Sequence, residues 1–112
     1  MIEKRVMDYL AERLDVPVYM EMPEKQPESF VLVEKTGSSR TNWIDSATIA
    51  LESYAGSMAD AATLSESVKA QMDRMAEQPD ISRSELNSDY NYTDTALKQY
   101  RYQAVYDLVY FE

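Results

Sequence analysis

The chain has 112 residues and a formal net charge of −9, with 45% hydrophobic and 11% aromatic residues. That length and apolar content suit one globular domain, assigned to positions 1–112, that needs neither disulfide nor metal to fold. It has no cysteine and no histidine, which excludes thiolate chemistry, zinc–thiolate sites and histidine acid–base catalysis, and its acidity argues against a basic nucleic-acid footprint.

From Ile2 to Leu14 the spacing is helical. Ile2, Val6, Leu10 and Leu14 form one stripe, Tyr9 and Arg13 flank it, and Glu3, Lys4, Asp8 and Glu12 take the other side. Pro17 stops the helix by disfavouring helical geometry at Val16. This N-terminal stretch lacks the continuous apolar run of a signal peptide, and no run of about 18 apolar residues occurs anywhere. Synthesis in the cytoplasm and no membrane partner are therefore expected.

Val16, Val18, Met20 and Met22 alternate with Pro17, Tyr19 and Glu21, which predicts a first strand. Pro23 and Pro27 bracket a polar loop. Ser29–Thr36 reads as a second strand, apolar on both faces. Gly37 to Asn42 is rich in loop formers and reads as a loop, and Trp43–Ala55 reads as a third strand. Together these predict a long hairpin with a polar tip.

Arg40, Thr41, Asn42 and Trp43 at that tip, with Glu52 and Tyr54 on one face of the third strand, are the candidate interface residues. Tryptophan and arginine are enriched at interface centres. The alternative is that Trp43 folds back into its own core while Arg40 is solvated.

After Gly56, Ser57 or Asp60 is placed to cap a second helix running to Glu77. Its apolar stripe is Ala61, Leu64, Val68, Met72 (or Gln71) and Met75, with Ser65, Ser67, Lys69, Asp73 and Arg74 elsewhere on the wheel. Ile81–Tyr92 reads as a polar fourth strand, with Ile81, Arg83 and Glu85 facing away from Ser82, Ser84 and Leu86. Thr93–Thr95 form a turn.

The closing stretch, Lys98–Phe111, alternates most clearly. Tyr100, Tyr102, Ala104, Tyr106, Leu108 and Tyr110 occupy every second position, which predicts a central or near-central strand. The expected architecture is α+β: a mostly antiparallel five-stranded sheet with two helices packed on one face, in the order α-β-β-β-α-β-β. The other sheet face is then solvated or meets a partner. Tyrosines, apolar in the ring and polar at the tip, suit such half-wet surfaces.

A family resemblance enters on these segments. The phrases LDVPVYMEMPE, FVLVEKTG, SSRTNWID, SATIALESYAGS and YRYQAVYDLVYF, in this element order, resemble the tail terminator or tail-completion proteins of long-tailed bacteriophages. These are also described as minor capsid or head-to-tail joining proteins. The resemblance implies a structural protein without catalytic activity or cofactor. Copies form a ring, usually a hexamer, that caps the tail tube, ends tail polymerisation and meets the head connector or stopper protein. It implies a place in the virion, at the tail and neck, after assembly in the host cytoplasm. DNA passes through the lumen without specific binding, and an acidic wall repels its phosphates.

Two other classes compete with this reading. One is an acidic DNA mimic or other protein-binding module; lysines and arginines from Lys4 to Arg101 interrupt the carboxylates throughout, which weighs against phosphate mimicry. The other is an enzyme using paired carboxylates, such as Asp89 with Asp94 or Glu21 with Glu24, or acids holding a divalent metal. Such pairs arise by chance among 20 acidic residues.

Overall fold

In a computed structural model, which describes residues 1–111, the alternating C-terminal stretch is a strand with neighbours on both sides. The chain runs α1 (Ile2–Ala11), β1 (Val18–Tyr19), β2 (Phe30–Thr41), β3 (Ile44–Ala55), α2 (Met58–Asp73), a 3₁₀ turn (Met75–Glu77), β4 (Ile81–Asn91) and β5 (Tyr100–Tyr110). The sheet has the spatial order β1-β2-β3-β5-β4.

The sheet is mixed, which corrects the expectation of a mostly antiparallel one. β1 runs parallel to β2, with Val18 opposite Val31 and Tyr19 opposite Leu32, and Val31 donates its N–H to the Pro17 carbonyl at 3.0 Å. Segment 20–29 explains the direction. It is not the tight turn an antiparallel neighbour requires; bending at 20–21, 24–25 and 28–29 around Pro23 and Pro27, it brings the chain back past a two-residue strand to a parallel start. The pairs β2–β3, β3–β5 and β4–β5 are antiparallel. β3 and β4 therefore run the same way, linked through α2, with β5 inserted between them. That insertion also makes the spatial order differ from the chain order.

Both helices cover one sheet face. Ile2, Val6, Tyr9 and Leu10 of α1 and Val68 and Met72 of α2 share a core with Val31 and Val33 of β2, Ile49 and Leu51 of β3, and Tyr106 and Leu108 of β5. Three side chains tie elements distant in the chain by reaching backbone carbonyls. The Tyr9 hydroxyl donates to Gln71 at 2.7 Å, the Ser84 hydroxyl to Met72 at 2.7 Å, and the Arg5 guanidinium to Pro79. Tyr106 is fully buried, and its hydroxyl lies 2.6 Å from Asp73 Oδ1 and 3.2 Å from the Lys69 carbonyl. Tyr106 and Tyr110 are thus core residues rather than half-wet ones. Burying a phenol requires a partner for its O–H, and for Tyr106 the last turns of α2 supply it.

The helices end close to their sequence signals. α1 stops at Ala11, short of the expected Leu14, although Leu14 still donates its N–H to the Leu10 carbonyl at 2.8 Å. α2 opens on Ser57, whose Oγ accepts the Asp60 N–H at 3.1 Å. Its buried stripe is Ala61, Ser65, Val68 and Met72. Ser65 therefore lies inside, contrary to its expected place, and Leu64 is only half-buried. Ser65 and Ser53 are both small, which lets helix and sheet approach closely. Among the described residues neither buried hydroxyl has a partner.

Three strand details differ from expectation. The Gly37–Asn42 segment is not a loop: β2 continues to Thr41, paired from Gly37 opposite Thr48 to Thr41 opposite Ile44, after a bulge at Thr36. Only Asn42 and Trp43 remain for the turn. In β4, register shifts at Ser82 and Asn87 exchange the faces. Ile81 is buried, Arg83 and Glu85 lie on the open face with Val109 and Asp107 of β5, and Ser88 and Tyr90 also fall on that face.

Candidate interaction surfaces

The hairpin tip is built by two residues in left-handed backbone geometry, Asn42 (φ 52°) and Trp43 (φ 69°). Two positive φ values between paired strands define the turn that best matches strand twist, and Asn-Gly is its preferred sequence. Asn42 suits that geometry; Trp43 stands where glycine is favoured. The indole does not fold back, and 87% of the residue is exposed. Beside it, Arg40 grips Asp45 through two bonds, Nε to Oδ1 at 2.6 Å and Nη2 to Oδ2 at 3.1 Å. Asp45 is 7% exposed, and its hydrogen bond from Arg40 holds its pKa below the usual 3.8. The pair fixes the base of the tip and leaves Trp43 as the projecting group. Ile44 and Phe111 are exposed at the same end of the sheet.

Glu52 and Tyr54 do not join this group. They lie at the far end of β3, and Trp43 to Tyr54 spans about 35 Å at the rise of an extended strand. There the face not covered by helices carries a row of rings. Phe30 stacks on Tyr54 with centroids 4.6 Å apart, Tyr19 meets Phe30 edge-on at 5.9 Å, and Tyr92 meets Tyr90 edge-on at 5.9 Å. Arg101 bridges the two halves of the row. Its guanidinium sits 4.5 Å from the Tyr92 ring centroid, and it donates to the Tyr54 hydroxyl at 3.1 Å and to the Tyr92 carbonyl at 2.7 Å. Tyr54 is buried in this stack, at 4% exposure, so its ring is a structural platform. Burial raises the pKa of Glu52, and the nearby Glu34 carboxylate adds to the rise while Arg101 opposes it.

Towards the hairpin tip the open face changes character. Gly37, Ser39, Ser46 and Thr48 leave a shallow trough of about 410 Å³, bordered by Glu85 and Asp107. Asp107 accepts hydrogen bonds from Thr48 at 3.0 Å and Asn87 at 2.9 Å, which occupies both of its oxygens. Of the carboxylates proposed as pairs, Asp89 and Asp94 have other employment: Asp89 binds Lys69 at 2.6 Å, and Asp94 caps the β4–β5 turn through the Ala96 and Leu97 N–H groups. Among the described residues no group of three carboxylates is arranged to hold a metal ion.

That turn holds a feature the sequence reading missed. Leu97, at its apex, is 75% exposed and is followed by Lys98 at φ 51°. Its signal was an apolar residue just after the turn formers of Thr93–Thr95. The two hairpins open in opposite directions along a body 45 Å long, so Trp43 and Leu97 mark its two ends. No protein-family model matches this chain, and no curated protein matches it.

Three phenols report on this packing. Burial raises the pKa of Tyr9, Tyr54 and Tyr106 above the ordinary 10.0, and for Tyr106 the Asp73 carboxylate adds to the effect. A raised native pKa stabilises the fold below the unfolded value and loses that contribution as pH climbs past about 10. Tyrosinate absorbance in an alkaline titration is therefore expected to show a late fraction that appears together with unfolding by circular dichroism. Tyr106→Phe should shrink that fraction. Ionisation of all nine tyrosines before any loss of structure would contradict this packing.

Proposed function

We propose that this protein is a structural assembly protein of a phage or prophage tail, of the tail terminator or head-to-tail joining kind. In this reading copies close into a ring, six in number, that ends the tail tube and meets the head connector. The observation that supports it best is the bipolar shape. A 45-Å body with an exposed apolar apex at each end, Trp43 at one and Leu97 at the other, suits a part that touches the tube on one side and the connector on the other. The net charge of −9 suits passage of DNA through the ring, because carboxylates facing a lumen repel phosphates.

The experiment has two arms. Native mass spectrometry at rising concentration, with negative-stain electron microscopy, should show closed rings with a central hole. Inactivating the gene in its phage or prophage should leave tubes of uncontrolled length and unattached heads. Normal virions from the inactivated phage would refute the proposal.

A further inference from the structure

The sheet has two bare edges, and they are complementary. β1 covers β2 only at Val31 and Leu32, and among the described residues no other strand pairs with the outer side of β2. β4, at the opposite margin, likewise has no strand on its outer side among the described residues. Bare edges offer unpaired backbone groups to another chain. We propose that the β2 edge of one copy pairs with the β4 edge of the next, continuing the sheet from subunit to subunit. This rests on the self-association proposed above and names the contact that produces it.

Strand direction favours this pairing. β2, β3, β5 and β4 alternate in sense, so β4 runs opposite to β2. A modest rotation from copy to copy preserves that sense, and the junction is an antiparallel ladder, the more stable kind. Charge does not set the contact, because the edge charges are paired within the subunit: Arg40 with Asp45, Lys35 with Glu3, Asp89 with Lys69 and Arg83 with Glu85. The backbone ladder carries it. A contact between unlike edges is heterologous and closes into a ring when the rotation per copy divides a full turn, while self-pairing stops at a dimer.

Bulges restrict the match. Lys35, Ile49, Tyr106 and Leu86 form one row across the sheet, and the bulges at Thr36 and Asn87 adjoin that row from the two margins. A neighbour docked with little stagger sets bulge beside bulge. Any regular strand meets an interrupted ladder, which protects the free edges from indiscriminate pairing.

The Lys35 N–H provides the test. Val31 turns its N–H outward to Pro17, and the two-residue alternation of β2 turns that of Lys35 outward too. Lys35→Pro removes the donor, and proline is tolerated at an edge. Lys35→Ala also loses the ion pair to Glu3, at 3.8 Å, but keeps the N–H. The alanine variant should assemble as the native chain does, and the proline variant should need at least about tenfold higher concentration (about 1.4 kcal/mol). Hydrogen exchange on the unmodified protein should show 33–41 and 81–91 becoming protected together on assembly. Rings whose 33–41 and 81–91 amides exchange as fast as in the monomer would overturn the edge contact and leave the ring reading standing. A symmetric dimer, or a monomer at every concentration, would overturn both.

Discussion

Exchanging Trp43 for glycine is expected to stabilise the isolated protein and to abolish head-to-tail joining. The stability gain follows from the backbone. At φ 69° a side chain crowds its own peptide, and a non-glycine residue in that region costs roughly 1–2 kcal/mol. Glycine removes that strain but loses more entropy on folding, so the net gain is about 0.5–1 kcal/mol. For a chain of this size that raises Tm by about 2–6 °C. Almost nothing is lost in exchange, because the indole is 87% exposed and buries little surface. Asn-Gly is also the favoured pair for this turn.

The loss of joining follows from the same facts. A bulky apolar residue held in strained geometry at a solvent-facing apex contributes nothing to its own fold. Under the proposed function its role lies in what it touches on assembly, where one buried aromatic anchor contributes about 2 kcal/mol or more. The measurements are thermal denaturation of the variant and counting of joined particles by electron microscopy in a complemented phage. A higher Tm with normal joining would separate the tip from the assembly. A lower Tm would mean that the Trp43 side chain packs against its own domain.

How much of this was legible in the sequence depends on the range of the interaction that decided each element. β5 was readable because Tyr100 to Tyr110 alternate strictly and its two neighbours reinforce that period. α1 was readable from Ile2, Val6 and Leu10. The Gly37–Asn42 segment was misread because its residues favour loops locally, whereas the ladder to β3 extends the strand almost to its end. The direction of β1 was hidden because a two-residue strand has no local mark of parallel or antiparallel pairing. In β4 the bulges at Ser82 and Asn87 break the two-residue period, so faces assigned by alternation are exchanged along the strand. The candidate interface came out divided. Arg40, Thr41, Asn42 and Trp43 do share the tip, but Tyr54 went into a buried ring stack, because Phe30 opposite it and Arg101 beside it cover its faces.

The largest effect on stability is expected from Leu51→Ala. Leu51 sits on the helix-facing side of β3, the central strand, and is fully buried. Val33 lies opposite it on β2 and Ala104 opposite it on β5. Neither is large enough to swing into the space a leucine vacates, and a β-ladder on each side prevents the backbone from closing inward. The cavity therefore persists, which places the cost toward the upper part of the roughly 2–5 kcal/mol found for such truncations. Against a total of about 5–15 kcal/mol, that is enough to leave the domain marginal at 37 °C. Urea denaturation measures it directly, with Leu97→Ala as the exposed comparison, expected within about 0.5 kcal/mol of the native chain. If Leu51→Ala cost less than about 1 kcal/mol, the space would have to be filled by a neighbour that this packing does not provide, and the central position of β3 between β2 and β5 would be wrong.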